Sequence, residues 1–303
     1  MGRAMNLRGL HLLLTYQCNY ECEHCFVWGS PSQGGTMTLA QVREIYRQAQ
    51  ALGTVETIYL EGGEPFLYYP IMCRAAQEAA EMGFGVGIVT NNYWATSVED
   101  ALEWLRPLAG VLQDLSISTD LFHADEVVSA QARNALVAAE QLGISTGTLI
   151  CESPLETVVN GDASQGDVVM YKGRAAVKLA QSVKERHPWH IFNECPYETL
   201  DDPGRVHVDC EGNLHLCQGI TMGSLFERSL ADLVSSYDPS AHPIVGPLLA
   251  GGPAALVQRY DLPHEATYVD ACHLCYTVRE TLRARFPDCL GPGQVYGAGL
   301  PRA

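Results

Sequence analysis

Cys18, Cys22 and Cys25 stand at C-x3-C-x2-C spacing, directly behind the apolar run at residues 10–15. Three thiolates this close can hold three corners of a cubane iron–sulfur cluster. The fourth iron would then have no protein ligand, and an open position is what catalytic metal sites keep and structural sites close. Zinc sites and ferredoxins also cluster their cysteines, so the triplet alone does not settle the metal. A second set lies past residue 190, where Cys195, Cys210, Cys217, Cys272, Cys275 and Cys289 include a C-x2-C pair at 272–275.

These residues need a scaffold, and the chain is long enough for one large core with a smaller appendage at 303 residues. A hydrophobic fraction of 47% and a mean hydropathy of −0.02 fit an ordinary globular protein. The net charge of −16 argues against non-specific binding to nucleic acid or to an anionic membrane. No run of eighteen apolar residues exists to span a bilayer, and the first apolar run leads straight into Cys18 without a cleavage site. Eleven cysteines in clusters, without an export signal, point to metal ligation in a reducing cytoplasm.

The elements alternate. Strands are predicted at 10–15, 57–60, 85–90, 112–118 and 144–151, with helices at 39–52, 71–82, 97–105 and 125–142 between and after them. Thr38 is a predicted N-cap, and Gly83 and Gly143 are helix stops. This succession calls for parallel strands wrapped by helices, with active groups at the carboxyl ends of the strands. Residues 152–166 read as a long polar loop, either a lid or a surface excursion. Residues 172–183 read as a helix, and His187-Pro188-Trp189 marks a boundary that divides the chain into 1–190 and 191–303. Beyond it, residues 205–217 alternate about Glu211-Gly212-Asn213 as a β-hairpin, 229–237 read as a helix, 239–253 as Pro/Gly-rich connections, and Cys272 and Cys275 head a helix.

The triplet after the first strand, together with Gly62-Gly63-Glu64-Pro65 after the second, resembles the radical S-adenosylmethionine (SAM) enzymes. His24 stands where that family commonly has Phe, Tyr or Trp, and a flat imidazole can fill the same place. The resemblance implies an α/β fold, a partial (β/α)6 TIM-like barrel followed by a small cysteine-rich C-terminal domain with a β-hairpin. It also implies a [4Fe-4S] cluster on Cys18, Cys22 and Cys25 whose open iron chelates SAM, and reductive cleavage of SAM to a 5′-deoxyadenosyl radical. Gly62, Gly63 and Glu64 would lie beside the methionine amino group, and Ser118 and Asp120 match positions of polar contacts to the ribose, with Asn91 at the same end of the barrel. Arg174 suits the SAM carboxylate. His123, near the barrel mouth, is read as a proton carrier or as a hydrogen-bonded structural group.

Past residue 190, Gly212…Cys217 followed by a distant C-x2-C resembles the auxiliary-cluster extensions called SPASM and twitch. Six cysteines are too few for two full clusters, so one is expected, on Cys195, Cys217, Cys272 and Cys275, with zinc as the alternative metal. Cys210 could replace Cys195. The spacing Cys272-x2-Cys275-x13-Cys289 also equals that of the enzyme opening molybdenum-cofactor synthesis from GTP, which has a β-hairpin where a helix is predicted here. A first strand near residue 10 leaves no room for a leader-peptide-binding domain before it. That favours a small-molecule substrate or a peptide brought by a separate partner, with flavodoxin or ferredoxin as electron donor. A non-catalytic iron–sulfur protein and a zinc-stabilised barrel are the alternatives of other classes.

Overall fold

A computed structural model describes residues 5–120, 122–123, 128–152 and 167–298. Five parallel strands run in chain order across one sheet: β1 (Gly9–Leu13), β2 (Thr57–Glu61), β3 (Gly85–Thr90), β4 (Asp114–Ser118) and β5 (Thr146–Leu149). Helices α1 (Leu39–Leu52), α2 (Tyr69–Glu81), α3 (Val98–Leu105) and α4 (Ala130–Gln141) connect or follow them. This is the α/β partial-barrel architecture. Leu10, Leu12, Ile58, Leu60, Ile88 and Leu115 are fully buried. Burying each such side chain is worth about 1.5–3 kcal/mol.

Local chemistry sets the ends of the helices. The Thr38 hydroxyl accepts from Gln41 N while Gln41 returns a bond to the Thr38 backbone, and Gly53 closes α1 in the left-handed region at φ 76°. Ser97 and Ser129 cap α3 and α4 by accepting from Asp100 N and Ala132 N. Part of the long helix expected at 125–142, and nearly all of the loop at 152–166, lie outside the described residues.

The second half joins the same sheet. β6 (Arg205–Val208) pairs in parallel with β1, on the side away from β2, and β7 (Asn213–Cys217) and β8 (Ile220–Ser224) follow antiparallel to give an eight-stranded sheet. The sixth parallel strand therefore comes from the expected hairpin. One core cluster takes in Leu10 and Leu60 as well as Val206, Leu214 and Leu274.

Two helical expectations change. α5 (Arg174–Lys178) is a single short turn where a helix to residue 183 was expected. α6 (Leu230–Ser236) falls as expected, whereas residues 239–253, read as connections, enter α7 (Val245–Tyr260). α7 is two helical segments joined at Gly251-Gly252. Gly252 takes φ 61°, and a Cβ there would lie 2.3 Å from Glu194 N, so glycine is what lets this kink pack on residues 192–194. α8 (Ala271–Leu282), capped by Asp270, carries Cys272 and Cys275 in its first turns.

Candidate active site

The chain leaving β1 forms the cysteine loop, and hydrogen bonds to sulfur shape it. Tyr20 N donates to Cys18 Sγ at 3.4 Å, Asn91 Nδ2 to the same sulfur at 3.5 Å, and Gly29 N to Cys25 Sγ at 3.2 Å. The start of α5 holds the loop from behind. Arg174 N donates to Cys25 O at 2.9 Å, and the Arg174 guanidinium donates to Cys22 O at 2.6 Å and Gly29 O at 2.8 Å, stacked over Trp28. Arg174 was expected to meet the carboxylate of SAM. That expectation is corrected: its side chain is 2% exposed and committed to loop carbonyls, whose partial charges it neutralises away from the cavity.

The turn after β2 lies directly on this loop. Gly63 N donates to Thr15 O at 2.7 Å and Glu64 N to Gln17 O at 2.9 Å. A Cβ on Gly63 would sit 2.1 Å from Gln17 O, so the contact requires glycine. Glu64 does not reach the cavity wall. It is fully buried and accepts from Phe66 N at 3.0 Å, the Thr90 hydroxyl at 2.9 Å and Asn91 N at 2.8 Å. Burial pushes its carboxyl up to about 7 against those hydrogen bonds.

One cavity of about 310 Å³ opens above the sheet. Its wall brings together Cys18, Cys22 and Cys25 with Gly62 and Gly63, and from the ends of β3 and β4 it receives Asn91, Ser118 and Asp120. This volume is within the roughly 300–1,000 Å³ of small-molecule sites. Asp120 accepts from Phe122 N at 2.9 Å and Cys151 N at 3.2 Å, and meets His123 Nδ1 at 2.8 Å. Burial alone would raise its carboxyl; His123, with His24 behind it, holds it below the ordinary aspartate range. His123 is thus a hydrogen-bonded neighbour of Asp120 on the cavity wall. The His24 ring packs 4.7 Å from Phe122, and burial lowers it to about 4, so the imidazole is neutral at pH 7.

The donor set fits an iron–sulfur cluster. Burial pushes the Cys18 thiol up to about 12 and raises Cys22 still further, with Cys25 adding like-charge repulsion. Thiolates are therefore unfavourable here without a metal centre to carry their charge. A second enclosed space, of about 20 Å³, is lined by Cys195, Cys217, Cys272 and Cys275, together with Lys172 and Arg279. Cys210 is elsewhere, beside Gly35, and Cys289 lies off this lining with its carbonyl accepting from Thr221 N. The segment 276–282, between Cys275 and Cys289, is helical.

Lys172 was not singled out by sequence, yet it lines both spaces, with its ammonium 3.5 Å from Glu198 and over the Phe26 ring. Only the pairing of distant segments reveals it.

Residues 12–135 match the Radical SAM superfamily. The chain is 27% identical over 261 residues to the putative peptide biosynthesis protein YydG of Bacillus subtilis (strain 168), covering 84% of this chain and 74% of that protein. It is 26% identical over 200 residues to the S-adenosylmethionine-dependent nucleotide dehydratase of Fibrobacter sp. (strain UWH6), covering 61% of this chain. It spans just over half of that relative, 55% of its length. Among solved structures, native anSMEcpe with bound AdoMet is 12% identical with a TM-score of 0.48, over 93% of this chain and 97% of that one.

Proposed function

We propose, for a chain that belongs to the radical SAM superfamily, that Cys18, Cys22 and Cys25 hold the [4Fe-4S] cluster and that SAM and substrate share the cavity above it. When bound, that cluster supplies the electron that cleaves SAM to methionine and a 5′-deoxyadenosyl radical able to take hydrogen from an unreactive carbon. The observation that carries the reading is the meeting of the three cysteines, the Gly62-Gly63 turn and the strand-end polar groups on one cavity. In it, Gly62 and Gly63 offer close backbone approach to the amino group, Asp120 and Ser118 accept from ribose hydroxyls, and Asn91 steadies Cys18. Arg174 and Glu64 act as positioning residues. Apolar wall positions such as Val89 and Val169 help to exclude water from a reactive intermediate.

Cys195, Cys217, Cys272 and Cys275 are assigned to one auxiliary [4Fe-4S] cluster, with zinc the competing metal. The region after 190 would form a cluster-bearing extension of SPASM or twitch type. A low-potential donor of the flavodoxin or ferredoxin class would supply electrons. The substrate is assigned as a peptide, because the likeness to the peptide biosynthesis protein runs through 84% of the chain while that to the dehydratase runs through 61%.

Anaerobically reconstituted protein with a strong reductant and SAM should release 5′-deoxyadenosine, and replacing Cys18, Cys22 and Cys25 with alanine should abolish it. Continued cleavage by the triple variant would sink the assignment. That variant should keep about four irons on the auxiliary cysteines, and zinc in their place would leave only the first cluster standing. Candidate peptides should stimulate turnover. Stimulation by nucleoside triphosphates alone would overturn the peptide assignment.

A further inference from the structure

Beneath the catalytic loop, three strands place metal-binding side chains on the inner face of the sheet. His11 is opposite His207 in the β1–β6 register, and Glu61, the last residue of β2, is paired with Leu13, two residues along β1 from His11. His11 Nδ1 lies 2.5 Å from Glu61 Oε1 and His207 Nε2 lies 3.5 Å from Glu61 Oε2. One donor atom from each of the three lies within 4.8 Å of the others. All three side chains are mostly buried, at 16%, 11% and 14% exposed, and Glu61 lines the cavity.

Neighbouring residues fix the rings. Tyr59 stacks on His11 with centroids 4.7 Å apart and planes 12° from parallel. Gly87 opposite makes room for that ring, since a Cβ there would lie 2.3 Å from Tyr59. Phe26, itself on the cavity wall, meets His207 edge-on at 6.2 Å. These are oriented imidazoles and a carboxylate, a set suited to a borderline divalent cation and poorly suited to calcium or magnesium, which prefer all-oxygen shells.

We infer that His11, Glu61 and His207 form a binding site for one divalent cation of the zinc class, next to the substrate cavity that Glu61 lines. Bonds of about 2.0–2.1 Å put neighbouring ligand atoms about 3.3 Å apart in a tetrahedral site, and the two observed separations, each to a different oxygen of Glu61, lie on either side of that value. Binding would draw the three ligand atoms together from separations that are all within 4.8 Å. Three protein ligands leave coordination free for an oxygen or nitrogen donor of a bound substrate, as catalytic sites of this ligand set do. The site uses none of the cysteines, so it stands or falls separately from both cluster assignments.

The test uses the full chain, reconstituted with iron and sulfide so that the cysteines are occupied, then treated with zinc and desalted. Elemental analysis should find about one zinc per chain, with X-ray absorption showing only nitrogen and oxygen neighbours near 2.0 Å. His207→Ala and Glu61→Gln should each lower retained zinc at least tenfold with iron unchanged. No retained zinc in the wild-type chain, or zinc unaffected by either variant, would overturn the site. So would a sulfur shell near 2.3 Å, which would instead place zinc on the auxiliary cysteines. Should either variant lose iron through misfolding, the wild-type absorption spectrum alone decides.

Discussion

Glu64 stands in the GGEP turn, yet it directs its carboxylate into the protein, where two backbone N–H groups and the Thr90 hydroxyl use it as a shared acceptor. Its truncation would strand three buried donors, each worth about 1–3 kcal/mol when left unpaired. Glu64→Ala should therefore lower stability by several kcal/mol and weaken SAM binding indirectly, while Glu64→Gln, which keeps one acceptor oxygen, should cost less. Denaturant melts of the two variants check the order; equal melts would refute it. The GGEP turn pointed to Glu64, and the fit of a guanidinium to a carboxylate pointed to Arg174. Sequence could not indicate which way their side chains point, because that is settled by segments far along the chain, as when Arg174 meets Cys22 O across 152 residues. The triplet and the glycine turn were legible because their chemistry is local. His11 and His207 were not, for neither belongs to a motif and only the β1–β6 pairing brings them together.

Two short elements buttress the cysteine loop, and each makes a measurable claim. Gly173 precedes α5 at φ 62°, and a Cβ on it would lie 2.5 Å from Phe26 Cα and 2.6 Å from Cys25 O. Gly173→Ala should push the cysteine loop off its seat and lower iron on the catalytic triplet, leaving auxiliary iron in place. Iron analysis in a background lacking Cys272 and Cys275 isolates the effect, and unchanged iron there would disprove it. The second element is the β6–β7 turn, built on Asp209. This fully buried carboxylate accepts from Tyr16 Oη, Glu211 N, Asn213 N and Asn213 Nδ2 and meets His215 Nε2, tying the start of the cysteine loop to the hairpin. Burial would raise it, but His215 and these donors hold it below the ordinary aspartate range. A depressed carboxyl contributes stability above its unfolded value, near pH 4, and loses it as pH falls through the folded value. Asp209→Asn should thus cost about 3–5 kcal/mol at neutral pH, and the gap to wild type should narrow below about pH 4. A gap that is constant from pH 3 to 7 would show that the charge is immaterial.

At the scale of the whole molecule, composition and motif suggested a chain divisible near residue 190, and the alternation of strands and helices made the parallel sheet legible. What it did not indicate is that the hairpin at 205–217 docks on β1, because an antiparallel hairpin reads the same whether it stands alone or extends another sheet. The pairing has an energetic consequence. Val206, Val208, Leu214, Leu216, Leu274 and Val278 are at most 3% exposed and belong to the same core as Leu10 and Leu12. At about 1.5–3 kcal/mol apiece their loss amounts to on the order of 10 kcal/mol, comparable to the whole stability of a typical domain. It would also bare the hydrogen-bonding edge of β1, an invitation to pair with other chains. A fragment ending at residue 190 is therefore expected to aggregate and to lack a cooperative melt, even with Cys18, Cys22 and Cys25 intact. The full chain with Cys272 and Cys275 replaced keeps β6 and should stay soluble enough to load iron on the triplet. Light scattering and calorimetry on the two proteins separate the cases. A monomeric, cooperatively melting 1–190 fragment would mean that the barrel closes without the hairpin and that the second half is an independent appendage after all.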